Sequence, residues 1–293
     1  MVKFVKYEVN HMKNIKFSGG MLVFLGAFFW SLNSPLIKFL EVDAFLTCGF
    51  RSVIAGLVLL PFLRPKKIKW GPWMLVYLAA YCGLCVSIVL ALRQTSAPIA
   101  IGMQYGSIVW LFLVSTIMAR SLDRKRLIPV LLISAGVIVF MLSGLNGSSM
   151  TGNLIALTES ISFAFMTVGA KKSGSENPLG LTALANLFTG FFVFTFLPPD
   201  LSDTLSFTGQ EWVLMLILGV VQVGLGYAFY NMGVSKVSPQ KASVIALWEM
   251  ILGPLWVALF LGEYPSLLVM IGFVIIIAGI ILDARMDSAE TSA

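Results

Sequence analysis

Pro265-Ser-Leu-Leu-Val-Met-Ile-Gly-Phe-Val-Ile-Ile-Ile-Ala-Gly-Ile-Ile-Leu282 runs for eighteen residues without a charge. As a helix rising about 1.5 Å per residue it reaches about 27 Å, close to the depth of a bilayer's hydrocarbon core. Nine further apolar runs precede it, near 20–38, 44–63, 72–92, 97–119, 127–145, 153–170, 179–197, 211–232 and 239–260. Gly, Pro, Ser and charged residues separate them, as chain breakers do. Arg120–Arg126 and Gly144–Ser149 are clear breaks. Only Arg93-Gln-Thr-Ser-Ala-Pro98 divides the third run from the fourth, which predicts a tight helical hairpin.

Composition agrees. Of 293 residues, 58% are apolar and 12% charged, with a mean hydropathy of +0.91. Ten spans of about twenty residues use about 200 positions. The remainder suffices for tails and short loops. That excludes a separate soluble catalytic domain or nucleic-acid-binding module. The predicted fold is an all-α membrane protein of ten transmembrane helices. The net charge of +6 does not indicate nucleic acid, because the basic residues sit at the ends of apolar runs, where they orient a chain in the membrane.

Counting them fixes the expected topology. With the N-terminus inside, seventeen of the twenty Lys and Arg residues fall on cytoplasmic tails and loops; Lys38 and Arg93 fall outside, and Arg51 lies within the second span. The outer loops instead hold Glu41, Asp43, Asp200, Asp203, Glu211 and Glu263. Both termini are expected in the cytoplasm, with the chain in the cell (inner) membrane. The first run follows Lys3, Lys6, Lys13 and Lys16, is too long for a signal peptide and precedes no A-x-A-like site; it reads as a retained signal anchor. Trp70, Trp73 and Trp212 fall at span ends, the interfacial position.

The two halves resemble each other. Gly20–Leu25 aligns with Gly152–Leu157, Thr47…Arg51 with Thr182…Asn186, Thr95–Ala100 with Val237–Ala242, and Ala135–Val139 with Ala278–Leu282. Five spans is an odd number, so the second half enters from the opposite side, giving two inverted five-helix repeats, as in many secondary transporters. The expected organisation is a basic cytoplasmic tail over 1–19, repeats over 20–145 and 152–283, and a cytoplasmic C-terminal tail over 284–293.

Particular motifs resemble the EamA family of the drug/metabolite transporter superfamily. Trp30-Ser-Leu-Asn33…Lys38 is similar to that family's W-G-x-N…K, with Ser31 in place of glycine. Phe50-Arg51…Ala55 is similar to its R-F/R-x-x-x-A element. Ser238-Pro239…Ala242-Ser243…Leu247-Trp248-Glu249…Gly262-Glu263 resembles S-P…A-S…L-x-E-P…G-E. Met250 replaces the proline after the glutamate and Pro254 follows, so the expected helix break shifts. The resemblance covers about residues 18 to 284 and implies a ten-span carrier, many relatives being exporters of amino acids or other small metabolites.

Ionisable groups inside a span are costly and face a cavity or one another. Glu249, close to mid-span in the ninth run, is suited to bind a cationic substrate group or a proton; the alternative is a protonated structural acid bonded to a backbone carbonyl. Glu159 has the same two readings, with Thr158 and Ser160 available for a local polar network. Arg51 either snorkels outward, pairs with an acidic neighbour, or meets a substrate carboxylate. Helical spacing groups Gln104, Ser107, Leu111 and Ser115; Gln222, Gly226 and Tyr230; Glu159, Phe163 and Met166; and Ala242, Ile245 and Glu249. The candidate cavity is therefore Trp30, Asn33, Gln104, Tyr105, Ser107, Glu159, Phe163, Gln222, Tyr230, Trp248 and Glu249, with Glu249 and Glu159 as proton-coupling groups. Any one of the rings can equally be a packing or lipid-facing residue. Gly102/Gly106 and Ala242/Ala246 have the small-xxx-small spacing of close helix packing, expected near the axis relating the halves.

Cys82 and Cys85 form a C-x-x-C, yet no further Cys cluster accompanies them and His11 lies in the basic tail; two small apolar side chains one turn apart is the simpler reading. There is no Walker A motif, no metal-ligand set and no Ser/His/Asp set, so neither an enzyme nor a cofactor or metal is expected. The expected function is a secondary transporter of amino acids or similar amphipathic solutes, working by alternating access and coupled to protons or acting as a facilitator, with export the direction that the resemblance implies. The rival is a lipid flippase accessory subunit or lipid-processing membrane protein. Expected partners are a small-molecule substrate and membrane lipid, with no nucleic acid; a homodimer is one open option.

Overall fold

Short polar residues start several helices. Asp43 accepts from the N–H groups of Phe45 and Leu46 at 2.8 and 3.0 Å, and Thr208 and Glu211 form a reciprocal capping box. Pro72, Pro98, Pro178 and Pro239 occupy first turns, where a missing N–H is not needed. The computed structural model describes residues 17–143, 150–237 and 239–291. The tail to residue 16, with its four lysines and His11, lies outside these residues, as do the break at 144–149, Ser238, and residues 292–293.

Ten helices are long and apolar enough to cross a membrane, and no strand occurs among the described residues. They are α1 (Gly19–Phe39), α2 (Ala44–Phe62), α3 (Pro72–Gln94), α4 (Ala97–Ala119), α5 (Arg124–Ser143), α6 (Met150–Ser173), α7 (Pro178–Phe196), α8 (Gly209–Val234), α9 (Pro239–Leu261) and α10 (Leu267–Thr291). The hairpin between α3 and α4 has only Thr95 and Ser96 outside the helices. Asn153 of α6 holds it: Thr95 Oγ1 donates to Asn153 Oδ1, and Asn153 Nδ2 donates to the Phe140 carbonyl.

Three helices are irregular in mid-course. α1 tightens at Leu32, whose N–H bonds Phe29 O, one turn before Pro35, which has no N–H to give the Ser31 carbonyl and whose ring crowds it. α4 turns at Tyr105–Gly106, and α8 widens into a π-helical segment over Ile217–Leu225. The expected break in the ninth span does not occur: α9 continues through Pro254. A proline inside a buried membrane helix is tolerated where neighbours and local adjustment satisfy the freed carbonyl. α10 runs on to Thr291, so most of the proposed C-terminal tail extends the last helix.

The dominant packing pairs α3 with α6, α1 with α8, α2 with α7 and α5 with α10, while α9 lies on α1 and α4 on α6. Exchanging the first five helices for the last five maps each pairing onto another or onto itself. Close approach needs glycine at two of these seams. A Cβ on Gly26 would lie 2.8 Å from Tyr230 Cβ, and one on Gly169 would lie 2.8 Å from the Tyr77 backbone nitrogen.

Loop contacts define two ends. Arg64 N–H donates to Asn177 Oδ1 at 2.8 Å, and Glu176 N–H donates to the Lys67 carbonyl at 3.0 Å, so loops 63–71 and 174–177 share one end. Arg126 sits 3.8 Å from Asp283, which brings loop 120–123 and the end of α10 to that same end. At the other end, Arg93 donates to the carbonyls of Leu40 and Val42, and Lys38 pairs with Glu263 at 2.9 Å. The first end gathers Arg64, Lys66, Lys67, Lys69, Arg120, Arg124, Lys125, Arg126, Lys171 and Lys172; the second gathers Glu41, Asp43 and Glu263.

Candidate functional site

A cavity of about 650 Å³ opens among nine of the ten helices, α5 alone contributing nothing to its lining. That volume is in the range of small-molecule sites. The irregular stretches of α1, α4 and α8 border it: Trp30 and Asn33 flank the tightened turn, Gln104, Tyr105 and Ser107 flank the α4 turn, and Gln222 and Val223 come from the π segment. Irregular backbone at membrane depth is tolerated where it lies within protein or lines a cavity.

Of the eleven residues expected to line a site, ten do so: Trp30, Asn33, Gln104, Tyr105, Ser107, Glu159, Phe163, Gln222, Tyr230 and Glu249. Trp248 is the exception. It is 45% exposed on the outside of the bundle, where its ring meets Phe24 edge-on. Trp248 lies about 100° from Glu249 around the helix, and at this position that offset turns its ring toward Phe24 of α1 rather than into the cavity. Ser115 also stays off the lining. Ala246 joins the lining, and its carbonyl accepts from Tyr105 OH at 3.3 Å. Gly102 and Gly106 pack closely against Phe140 and Val137 of α5, and Ala242 is buried.

Glu159 is completely buried, and neither carboxylate oxygen has a hydrogen-bond partner among the described residues. The expected polar network does not form. Thr158 donates to the Ile155 carbonyl, and Ser160 donates to Leu157 O while accepting from Trp110 Nε1. Both hydroxyls are captured by their own helix, a common fate of mid-helix Ser and Thr. Glu159, Glu249 and Arg51 lie near enough to interact electrostatically, although they come from α6, α9 and α2.

Arg51 does not snorkel, and among the described residues it forms no ion pair within hydrogen-bonding distance. It is 3% exposed, with Nη1 donating to Asn33 Oδ1 at 2.8 Å and Nη2 to the Cys85 carbonyl at 3.2 Å. These bonds tie α1, α2 and α3 together at the cavity wall, and Asn33 holds a buried guanidinium in place. Gln222 Oε1 and Trp30 Nε1 are further buried polar atoms without partners among the described residues. Buried polar atoms are ordinarily satisfied, so a cluster of exceptions around one cavity calls for a reason.

The sequence reading missed an aromatic row. Tyr77, Tyr81, Tyr227, Trp30 and Tyr230 follow one another with ring centroids 6.0, 6.2, 4.9 and 4.6 Å apart, and all five line the cavity. The i, i+4 spacing of Tyr77 and Tyr81 and the i, i+3 spacing of Tyr227 and Tyr230 are the available signals, but they do not say that α3 and α8 meet. The three cysteines are free and buried, in keeping with small apolar side chains.

Comparisons with known proteins agree with this architecture. The sequence profile of the EamA-like transporter family matches residues 17–142 and again 150–283. The uncharacterized transporter YvbV of Bacillus subtilis is 25% identical over 306 residues, covering 93% of each chain. The biotin transporter of Salmonella typhimurium is 26% identical over 223 residues, 67% of this chain and 69% of that one. A solved crystal structure superposes with a TM-score of 0.64 at 17% identity, covering 92% of this chain and 98% of the other, which establishes the shared fold. With ten apolar helices, a solute-sized cavity among them and two profile matches that together span most of its length, the chain belongs to the EamA-like transporter family, a multi-pass membrane protein that carries small solutes.

Proposed function

We propose that the protein is a secondary carrier that exports small metabolites, amino acids or similar amphipathic solutes, from the cytoplasm by alternating access. The two five-helix halves act as inverted repeats. Three observations support this: the family profile matches each half, the packing is unchanged when the halves are exchanged, and the α1–α2 and α6–α7 loops lie at opposite ends. The end rich in Lys and Arg faces the cytoplasm, by the positive-inside rule, in the cell membrane.

Glu249 and Glu159 bind the cationic group of the solute or a coupling proton. The observation that carries this reading is the fully buried Glu159 carboxylate, unpartnered among the described residues and within electrostatic reach of Glu249 beside a solute-sized cavity. An ionised carboxylate there is costly unless a proton or a cationic group accompanies it. The aromatic row supplies flat apolar surface for the body of the solute.

Purified protein in liposomes loaded with a pH-sensitive dye tests the proposal. Pooled amino acids, amines and organic acids, biotin among them, are added in turn to the wild type and to Glu249→Gln. We predict solute-dependent proton movement with the wild type and at least about a tenfold loss in the variant, as expected when a positioned ionisable group is neutralised. Tracer flux without proton movement leaves a facilitator and refutes the coupling. No flux of any solute refutes the carrier.

A further inference from the structure

Two features of the sequence have no part in the cavity: the lysine that closes the Trp30…Lys38 pattern and the glutamate of Gly262-Glu263. The structure brings them together across 225 residues, with Lys38 Nζ 2.9 Å from Glu263 Oε1. The lysine is largely buried (15% exposed) and the glutamate 41% exposed. They meet at the end opposite Lys171.

The lining extends the cavity toward one end of the bundle. Ala170, Lys171 and Pro178 bring it to the basic end. Among the described residues, no lining residue comes from 35–47, 93–97, 197–208 or 261–266, segments at the Lys38 end. There, Leu40 and Val42 are buried, and Arg93 clamps their carbonyls.

The outer piece of α1, Asn33–Phe39, carries a residue of the site at one end and the lysine at the other. Asn33 binds Arg51 at the cavity wall; Lys38 binds Glu263. This piece begins just after the tightened turn at Leu32, a local departure from regular helix of the kind that bends one. α9 grips it twice. Trp256 Nε1 donates to Ser31 Oγ at 3.0 Å below the turn, and Glu263, just beyond the end of α9, holds Lys38 above it. α9 also carries Glu249. Lys38 thus belongs to an element that lines the site, and Glu263 follows directly after another.

We infer that Lys38 and Glu263 are the latch that closes the cavity at the acidic end, and that Asn33–Phe39 swings about Leu32 when it opens. A partly exposed ion pair is a weak tie, which suits a latch that must release in each cycle. The latch gives alternating access a named gate and rests on that reading. Its test does not need a transported solute.

The test uses the full chain carrying Gln104→Cys as a reporter within the cavity. A membrane-impermeant cationic methanethiosulfonate is applied to intact cells and to inverted vesicles, and the modified cysteine is identified by peptide mass. The expected wild-type result is labelling from the basic face and slow labelling from the Lys38 face. Lys38→Gln and Glu263→Gln each speed labelling from the Lys38 face about three- to fivefold, the upper part of the range for losing a partly exposed ion pair. The charge swap Lys38→Glu with Glu263→Lys restores slow labelling, which a merely loosened fold does not. Either single variant labelling at the wild-type rate, or a swap as fast as the single variants, overturns the latch. Failure of all solutes to cross liposomes, with the labelling pattern intact, overturns the carrier reading alone.

Discussion

Glu159 is where one side chain separates function from architecture. A structural carboxylic acid in a buried site keeps its hydrogen bonds, because an unpaired buried acceptor costs about 1–3 kcal/mol. Glu159 has none among the described residues. Replacing it by glutamine therefore removes no such contact, while it removes the capacity to carry charge. The expected outcome for Glu159→Gln is an unchanged or higher thermal unfolding midpoint in detergent together with at least about a tenfold loss of transport, the stability–function trade-off seen at polar sites. A lowered midpoint with transport intact assigns the residue to the scaffold. Arg51 shows the converse case: its Nη1 and Nη2 hydrogen bonds to Asn33 and Cys85 O make it part of the wall as well as a charge beside the carboxylates.

At the scale of the element, Ser31 shows how a single hydroxyl serves two helices. Its oxygen donates to the Phe28 carbonyl of its own helix and accepts from Trp256 of α9. Ser31→Ala removes both bonds. It is expected to leave the half-buried indole N–H of Trp256 unpaired, and to cost about 1–3 kcal/mol for that orphaned donor. Thermal unfolding of the variant in detergent is the measurement; a midpoint equal to that of the wild type contradicts the account. Pro254 makes a different point. A residue that breaks helices in water does not break α9, because in a packed membrane bundle the freed carbonyl is accommodated more cheaply than an open backbone.

For the whole molecule, the segregation of charge is the property with the widest consequence. Basic loops from both halves gather at one end although they come from different connections, while Glu41, Asp43 and Glu263 gather at the other. Alkaline phosphatase fused after Glu41 or after Asp200 is expected to be active, and fused after Lys67 or Arg124 inactive, since the enzyme matures only outside the cytoplasm and lysine and arginine are retained within. The reverse pattern would place the cavity's open end outside and the latch inside, and export would lose its support.

The ten spans, the charge at their ends and the duplicated motifs were legible in the sequence because each is a local property. An apolar run needs no partner to declare its length, and the lysines and arginines at alternate ends declare which ends lie together. Ten of eleven cavity residues were legible for a related reason: ionisable and amide groups are rarely left in lipid, so within a span they identify the inward face. Trp248 was not legible because aromatic rings suit lipid, interface and cavity equally, and only the packing of α9 against Phe24 of α1 decides among them. The row from Tyr77 to Tyr230, the capture of Arg51 by Asn33 and the union of Lys38 with Glu263 required the tertiary structure. Each joins residues from different helices, and which helices meet is decided by how their faces pack, a relation that the pattern along any one helix does not contain.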